Sequence, residues 1–270
     1  MTVAVSPWIV AAPLALLTAA SALAILHLFR GGERSGRAAR LLTLAGTGAL
    51  AAVLGTMALR ERRLPVADVS QVLLSVALMA CAALPALEPL LRLPSLGAFL
   101  VPTATALGWT AFLSAGQGRT WQSRELWMSL HGILGLAGFC AFAVAFATAA
   151  MYLLQERQLR RRRPGHVLEA LPSLEALDRT CARATVLGFL FFTASLAAGA
   201  AAAAQAWSGA WMHEPVVVGS LASWVAYAFL VASRGTGRLQ GRTITALGAA
   251  GFVLYLAGFL VPALLLGGAH

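Results

Sequence analysis

Three histidines and a set of tryptophans carry the pattern in this chain that could do metal chemistry. His131 opens a long apolar run, His213 lies in the stretch W-S-G-A-W-M-H-E-P from Trp207 to Pro215, and His270 is the last residue. Trp109, Trp121 and Trp127 fall on the same expected side of the chain. Imidazole is a good ligand for iron, copper or zinc. Indoles make flat apolar walls, so two histidines among tryptophans suit a planar metal macrocycle. The same residues also fit a second reading, because tryptophan belts membrane interfaces and an interfacial histidine stays half solvated. The spacing is not that of a zinc site, and neither a catalytic triad nor a phosphate-cradling glycine loop is present. Cys81, Cys140 and Cys181 are odd in number and far apart, with no C-x-x-C, which argues against a disulfide framework or a dithiol relay. The chain therefore reads as a protein without catalysis of its own.

The elements that must position these residues are membrane helices. Of 270 residues, 59% are hydrophobic and 11% are charged, against about 25% charged in a soluble domain. The expected fold is all-α, a polytopic membrane bundle forming one domain over 1–270. Apolar runs of spanning length, for which ~20 residues suffice, number about eight: Trp8–Phe29, Leu41–Leu59, Gln71–Leu91, Pro94–Ala115, Trp127–Leu154, Cys181–Gln205, Val216–Ser233 and Thr243–Leu266. Only Arg92 and Leu93 separate the third from the fourth, which predicts a tight helical hairpin. The N-terminus lacks early positive charge and a small-residue cleavage site, so its apolar run is expected to be a first span rather than a signal peptide.

Charge orients the bundle. The net charge of +10 comes from arginine alone among the basic residues. The arginines sit in short clusters between apolar runs, which excludes a nucleic-acid interface and fits the positive-inside rule. Arg157 and Arg160 to Arg163 follow the fifth run and are expected inside, which turns His131 outward. With both termini outside, 15 of the 20 arginines fall on the inner side, leaving Arg60, Arg62, Arg63, Arg119 and Arg124 outside. Gly132, Gly135 and Gly138, with Gly248 and Gly251, suit close helix packing. Glu88, near the inner end of the third run, is expected to snorkel or to pair with Arg92. His27 and His166 read as ordinary interfacial residues.

A series of local motifs then points to a family. L-G-A-F-L-V-P (Leu96–Pro102), L-H-G-I-L-G-L-A-G-F followed by M-Y-L-L-Q-E-R-Q-L, L-E-A-L-D-R-T (Leu174–Thr180), L-G-F (Leu187–Phe189), S-L-A-S-W-V-A-Y-A (Ser220–Ala228) and G-R-L-Q-G-R (Gly237–Arg242) follow in order. In that order and spacing the chain resembles the cytochrome c assembly family of membrane proteins, in its CcsA and HemX-like branch, most strongly over 94–270. The resemblance implies a heme-handling protein of c-type cytochrome biogenesis in the bacterial cytoplasmic (inner) membrane. It implies a non-covalent b-type heme at the outer face, facing a tryptophan-rich loop and flanked by histidines. His131 matches the first flanking histidine. The tail F-L-V-P-A-L-L-L-G-G-A-H resembles the run into the second, which makes His270 that residue, with His213 as its competitor. Trp207 and Trp211 match the loop's tryptophans, but Met212 to Pro215 supply neither the third tryptophan nor the aspartate of W-G-x-x-W-x-W-D. If heme sits there, Arg119 or Arg124 suits its propionates; as outer interface charges they need no such role. The implied partners are heme, other cytochrome c maturation membrane proteins, apocytochrome c as a candidate, and the lipid bilayer, with no nucleic acid. Two rival readings stay open: a HemX-like regulator of heme biosynthesis acting through the inner arginines, and a permease or accessory subunit that handles no heme.

Overall fold

The computed structural model describes residues 7–61, 65–66, 68–115, 126–161, 170–206, 213–236 and 241–265. Among them every regular element is a helix: α1 (Pro7–Arg30), α2 (Glu33–Glu61), α3 (Val69–Leu91), α4 (Gly97–Leu113), α5 (Leu126–Arg160), α6 (Leu174–Ala206), α7 (Pro215–Gly235) and α8 (Arg242–Leu265). Each expected apolar run lies largely on one of them. Six, α1, α2, α3, α5, α6 and α7, are long and apolar enough to cross a membrane. Helices suit lipid because they satisfy their backbone polar groups internally. Buried hydroxyls do the same locally: Thr43, Thr148, Thr185 and Thr245 each donate to the carbonyl four residues back. Apolar side chains also cover the outward surface, with Val225 and Phe229 each 60% exposed.

Three helices run more than a turn past their apolar stretch into arginine-bearing sequence. α2 starts at Glu33 rather than Leu41, α5 continues to Arg160, and α6 starts at Leu174 rather than Cys181. Each extension carries one acidic residue followed four positions later by arginine: Glu33–Arg37 at 3.0 Å, Glu156–Arg160 at 2.8 Å and Glu175–Arg179 at 2.5 Å. Pairs at this spacing, acid first, support a helix by a few tenths of a kcal/mol each.

The chain forms two compact units. The first holds α1 to α4 and the last turns of α5. Here α1 packs on α2 and α4 through small residues. A methyl placed on Gly108 would overlap the Leu14 side chain, and one on Gly46 would come 2.9 Å from Leu17. Leu14 and Leu17 are wholly buried. Polar contacts pin the α1–α4 seam: Ser21 Oγ lies 3.1 Å from Thr105 Oγ1, and the Trp109 indole N–H donates to Thr18 Oγ1 at 2.9 Å. The α1–α2 turn uses positive φ at Gly31 (71°) and Gly32 (99°). The His27 ring fills the space beside Gly36, with Nδ1 3.0 Å from the Gly32 carbonyl, so His27 belongs to this turn.

The α3–α4 hairpin is as tight as the sequence suggests, with a different lock. Arg92 takes a left-handed φ of 55°. Its N–H bonds the Pro89 carbonyl, and the Leu93 N–H reaches back to the Glu88 carbonyl at 2.9 Å, which closes α3 as a Schellman motif. The Glu88 carboxylate does not pair with Arg92; it accepts the Gly97 N–H at 3.3 Å, at the start of α4. An anion there meets the unpaired donors and positive end of the helix dipole. α4 is also shorter than its apolar run, at 17 residues from Gly97 rather than Pro94. Residues 93–96 form a turn closed by Leu96 N–H to the Leu93 carbonyl.

The second unit holds most of α5 with α6, α7 and α8. Its core is aromatic. Phe142 stacks on Tyr227 at 3.9 Å between centroids and meets Phe192 and Tyr255 edge-on. Phe139 and Phe192 also pack on Tyr255. Phe142 leaves no exposed surface. Gly188 makes room for it, since a methyl there would lie 2.6 Å from the Phe142 ring.

Candidate functional site

His131 is the sixth residue of α5, and its half-buried ring lies against α6. Three short distances join it to Ser195. Nδ1 lies 2.8 Å from the Ser195 carbonyl oxygen, which can only accept, so Nδ1 donates. Ser195 Oγ donates to the His131 carbonyl at 2.9 Å and lies 3.1 Å from Nδ1. A neutral ring bonded in this way keeps its lone pair on Nε2.

Small residues bring α5 and α6 close enough for these bonds. A methyl on Gly135 would come 3.1 Å from Ser195 Oγ. One on Gly138 would come 3.2 Å from the Phe192 nitrogen and 3.3 Å from the Gly188 oxygen, both backbone atoms. One on Gly199 would lie 2.8 Å from His131 Nδ1. The glycines Gly135 and Gly138, read from the sequence as packing positions, have that role. Lower on the same seam the Cys181 thiol lies 3.6 Å from the Ala145 carbonyl. Further down α6, Asp178 accepts from Arg234 of α7 at 2.9 Å through its carboxylate and 3.2 Å through its backbone oxygen.

The other expected site residues sort differently. His213 is exposed, one position before Glu214, whose carbonyl accepts the Val217 and Val218 N–H groups at the start of α7. Pro215 occupies the first turn of that helix, where a missing N–H costs nothing. Trp127 is 41% exposed at the start of α5. Trp109 belongs to the α1–α4 seam and sets its ring edge-on to Phe112 at 5.5 Å. Trp121, Trp207, Trp211, Arg119, Arg124 and His270 lie outside the described residues. Among the described residues no group of three or more His, Cys, Asp or Glu side chains is placed to hold a metal ion. The residues missed by sequence reasoning are Ser195 and Gly199. Their S-x-x-x-G spacing puts two small residues on one helix face, a signal of close helix approach.

A known family covers this arrangement. The model of the cytochrome C assembly protein family matches residues 10–270, which takes in every described helix except the first three residues of α1. The chain belongs to the cytochrome c assembly protein family. Similar members include the cytochrome c biogenesis protein CcsA of Gloeothece citriformis, 34% identical over 107 residues, covering 40% of this chain and 33% of that protein. CcsA of Trichormus variabilis is 33% identical over 125 residues, 46% of this chain and 36% of that protein. CcsA of Synechococcus sp. (strain RCC307) is 29% identical over 175 residues, 53% and 56% respectively. The matches thus span between about a third and just over half of these relatives' lengths. Family membership and the six spanning helices make this a multi-pass membrane protein.

Proposed function

We propose that this protein handles heme during c-type cytochrome maturation, from the bacterial cytoplasmic membrane, with His131 as an axial ligand facing outward. The observation that carries the reading is the state of the His131 ring: half-buried at the start of α5, donating through Nδ1 to Ser195 and presenting Nε2. That donor set fits one axial position of a heme iron, since neutral imidazole binds metal through the nitrogen its hydrogen bond leaves bare. Family membership and the relatives' name, cytochrome c biogenesis protein, support the same role. Heme, when bound, supplies iron coordination and a large flat apolar surface. In this proposal His270 is the second ligand and His213 its competitor. Trp207 and Trp211 form the walls, and Arg119 or Arg124 pairs with the propionates. The protein performs no catalysis of its own; its partners are heme, other maturation proteins of the membrane and apocytochrome c.

The optical spectrum of the purified protein tests this. A Soret band that His131→Ala removes, and that added imidazole partly restores, supports the ligand role. A heme content unchanged by the substitution discards it. One observation favours a second reading: the stretch Trp207–Pro215 lacks the third tryptophan and the aspartate of the full family motif. That departure suits a HemX-like regulator of heme biosynthesis, for which co-purification with a cytosolic biosynthetic enzyme is the test. A protein that stays colourless after reconstitution with hemin fits a permease or accessory subunit instead.

A further inference from the structure

We infer that Ser195 and Gly199 of α6 are positioning residues for His131, forming a cradle that fixes the imidazole as its Nδ1–H tautomer and tunes Nε2 as a ligand. The cradle stands on its own geometry; only the nature of what Nε2 binds rests on the heme-handling reading above.

A hydroxyl has one hydrogen. Ser195 Oγ sends its hydrogen to the His131 backbone carbonyl at 2.9 Å, so towards Nδ1, 3.1 Å away, it can offer only lone pairs. The Ser195 carbonyl, 2.8 Å from the same nitrogen, offers only lone pairs as well. Nδ1 therefore faces two acceptors and must be the nitrogen that carries hydrogen. The opposite tautomer would set the Nδ1 lone pair against the Ser195 carbonyl oxygen at 2.8 Å, and the hydroxyl would have to turn away from the His131 carbonyl to meet Nδ1. A histidine whose outer nitrogen donates to a carbonyl is a more basic ligand at the other, and such supporting partners orient the ring.

Gly199 supplies the room. The plane of the ring lies where a side chain would begin: a methyl on Gly199 would be 2.8 Å from Nδ1, 3.1 Å from Cε1 and 3.4 Å from Cγ. On the facing helix Gly135 does the same for the hydroxyl, at 3.1 Å. Each helix thus contributes one hydrogen-bonding residue and one glycine. The arrangement joins residues 64 apart in the chain.

The test uses the full-length protein, purified without heme and with its histidines labelled with nitrogen-15. The His131 resonances are assigned by difference from His131→Ala. The expected spectrum shows Nδ1 bearing hydrogen and Nε2 bare in the wild type. Gly199→Ala should push the ring off Ser195 and mix the tautomers. Ser195→Ala loses the hydroxyl but keeps the carbonyl that takes the Nδ1 hydrogen, so it should hold the same tautomer less firmly, and Ser195→Thr should retain it in full. Hemin titration of the same proteins should show affinity falling about 10-fold or more for Gly199→Ala, the size typical of lost ligand-supporting bonds, and by less for Ser195→Ala. The iron reduction potential should rise in Gly199→Ala as the ring leaves the Ser195 carbonyl and the ligand becomes less basic. Thermal unfolding identifies any variant that has simply lost its fold, and the wild-type spectrum needs no variant at all. A wild-type His131 with Nε2 bearing the hydrogen overturns the cradle. So does a folded Gly199→Ala protein whose tautomer and hemin affinity match the wild type. A wild type in the expected tautomer, disturbed by Gly199→Ala but taking up no hemin, supports the cradle and overturns the heme reading instead.

Discussion

Gly219 of α7 and Gly258 of α8 meet backbone to backbone. A methyl on Gly219 would lie 2.7 Å from the Gly258 oxygen, and one on Gly258 would lie 3.1 Å from the Gly219 oxygen. Backbone cannot rotate away as a side chain can, so neither position has room for a larger residue. Lipid gives no hydrophobic drive for helices to associate, and close backbone approach is the main source of their attraction. Gly219→Ala is expected to part the two helices and lower stability by about 1–3 kcal/mol, the usual cost of overpacking. Thermal unfolding in detergent reads this directly. Gly248→Ala, where a methyl would meet nothing within 4 Å, is the control and should leave the melting temperature in place.

The two candidates for the second ligand give opposite outcomes. Removing His270 should convert a six-coordinate heme spectrum to a five-coordinate one, while His213→Ala leaves it six-coordinate. The reverse result would assign the role to the exposed histidine before α7. If neither change alters the spectrum, the pairing of His131 with an outer histidine is wrong.

The orientation can be read by single-cysteine labelling in intact cells. With three native cysteines replaced, a cysteine placed between Arg157 and Arg179 should stay unlabelled by an impermeant reagent, and one at the C-terminus should react. The bias of 15 arginines to 5 motivates this expectation. Labelling of the 157–179 segment from outside would turn the bundle over and put His131 on the wrong face for the proposed role.

The ion pair between Arg234 and Asp178 should be a measurable tie between α6 and α7. The Arg234 side chain is only 20% exposed, and Asp178 offers it both a carboxylate and a backbone oxygen. A double-mutant cycle with Arg234→Met and Asp178→Asn is expected to give a coupling on the order of 1 kcal/mol, reduced by the 39% exposure of Asp178. The three pairs on the helix extensions, with both partners or one of them in water, should each give a few tenths at most.

Much of this was legible from the order of residues, for a physical reason. Whether a segment can span hydrocarbon is a local property of length and polarity, so each of the eight apolar runs falls largely on a helix. The extensions of α2, α5 and α6 escaped that reading because hydrocarbon thickness ends the apolar run but does not end the helix; there Glu–Arg spacing was the signal to follow. The start of α4 was overshot because Pro94 and Leu96 are apolar yet belong to a turn. Of the two roles expected of Glu88, snorkelling or pairing with Arg92, the pair does not form: its carboxylate accepts a backbone N–H, and Gly97 shows nothing of that in its side chain. His131 could be picked out by its place, but its anchor could not. That bond runs from an imidazole to a main-chain oxygen on another helix, and no residue type announces it.

The distance of 64 residues between His131 and Ser195 also has a meaning in time. A ribosome adding 5–20 residues per second needs about 3–13 s to pass from one to the other. Through that interval α5 is made but α6 is not, and the histidine ring has neither of its two acceptors. The ligand nitrogen is therefore undefined when its own helix is born and becomes defined only when the next one arrives. A chain halted between the two helices would carry the histidine without the chemistry, so the site ripens late and cannot be loaded in its final form by a nascent protein.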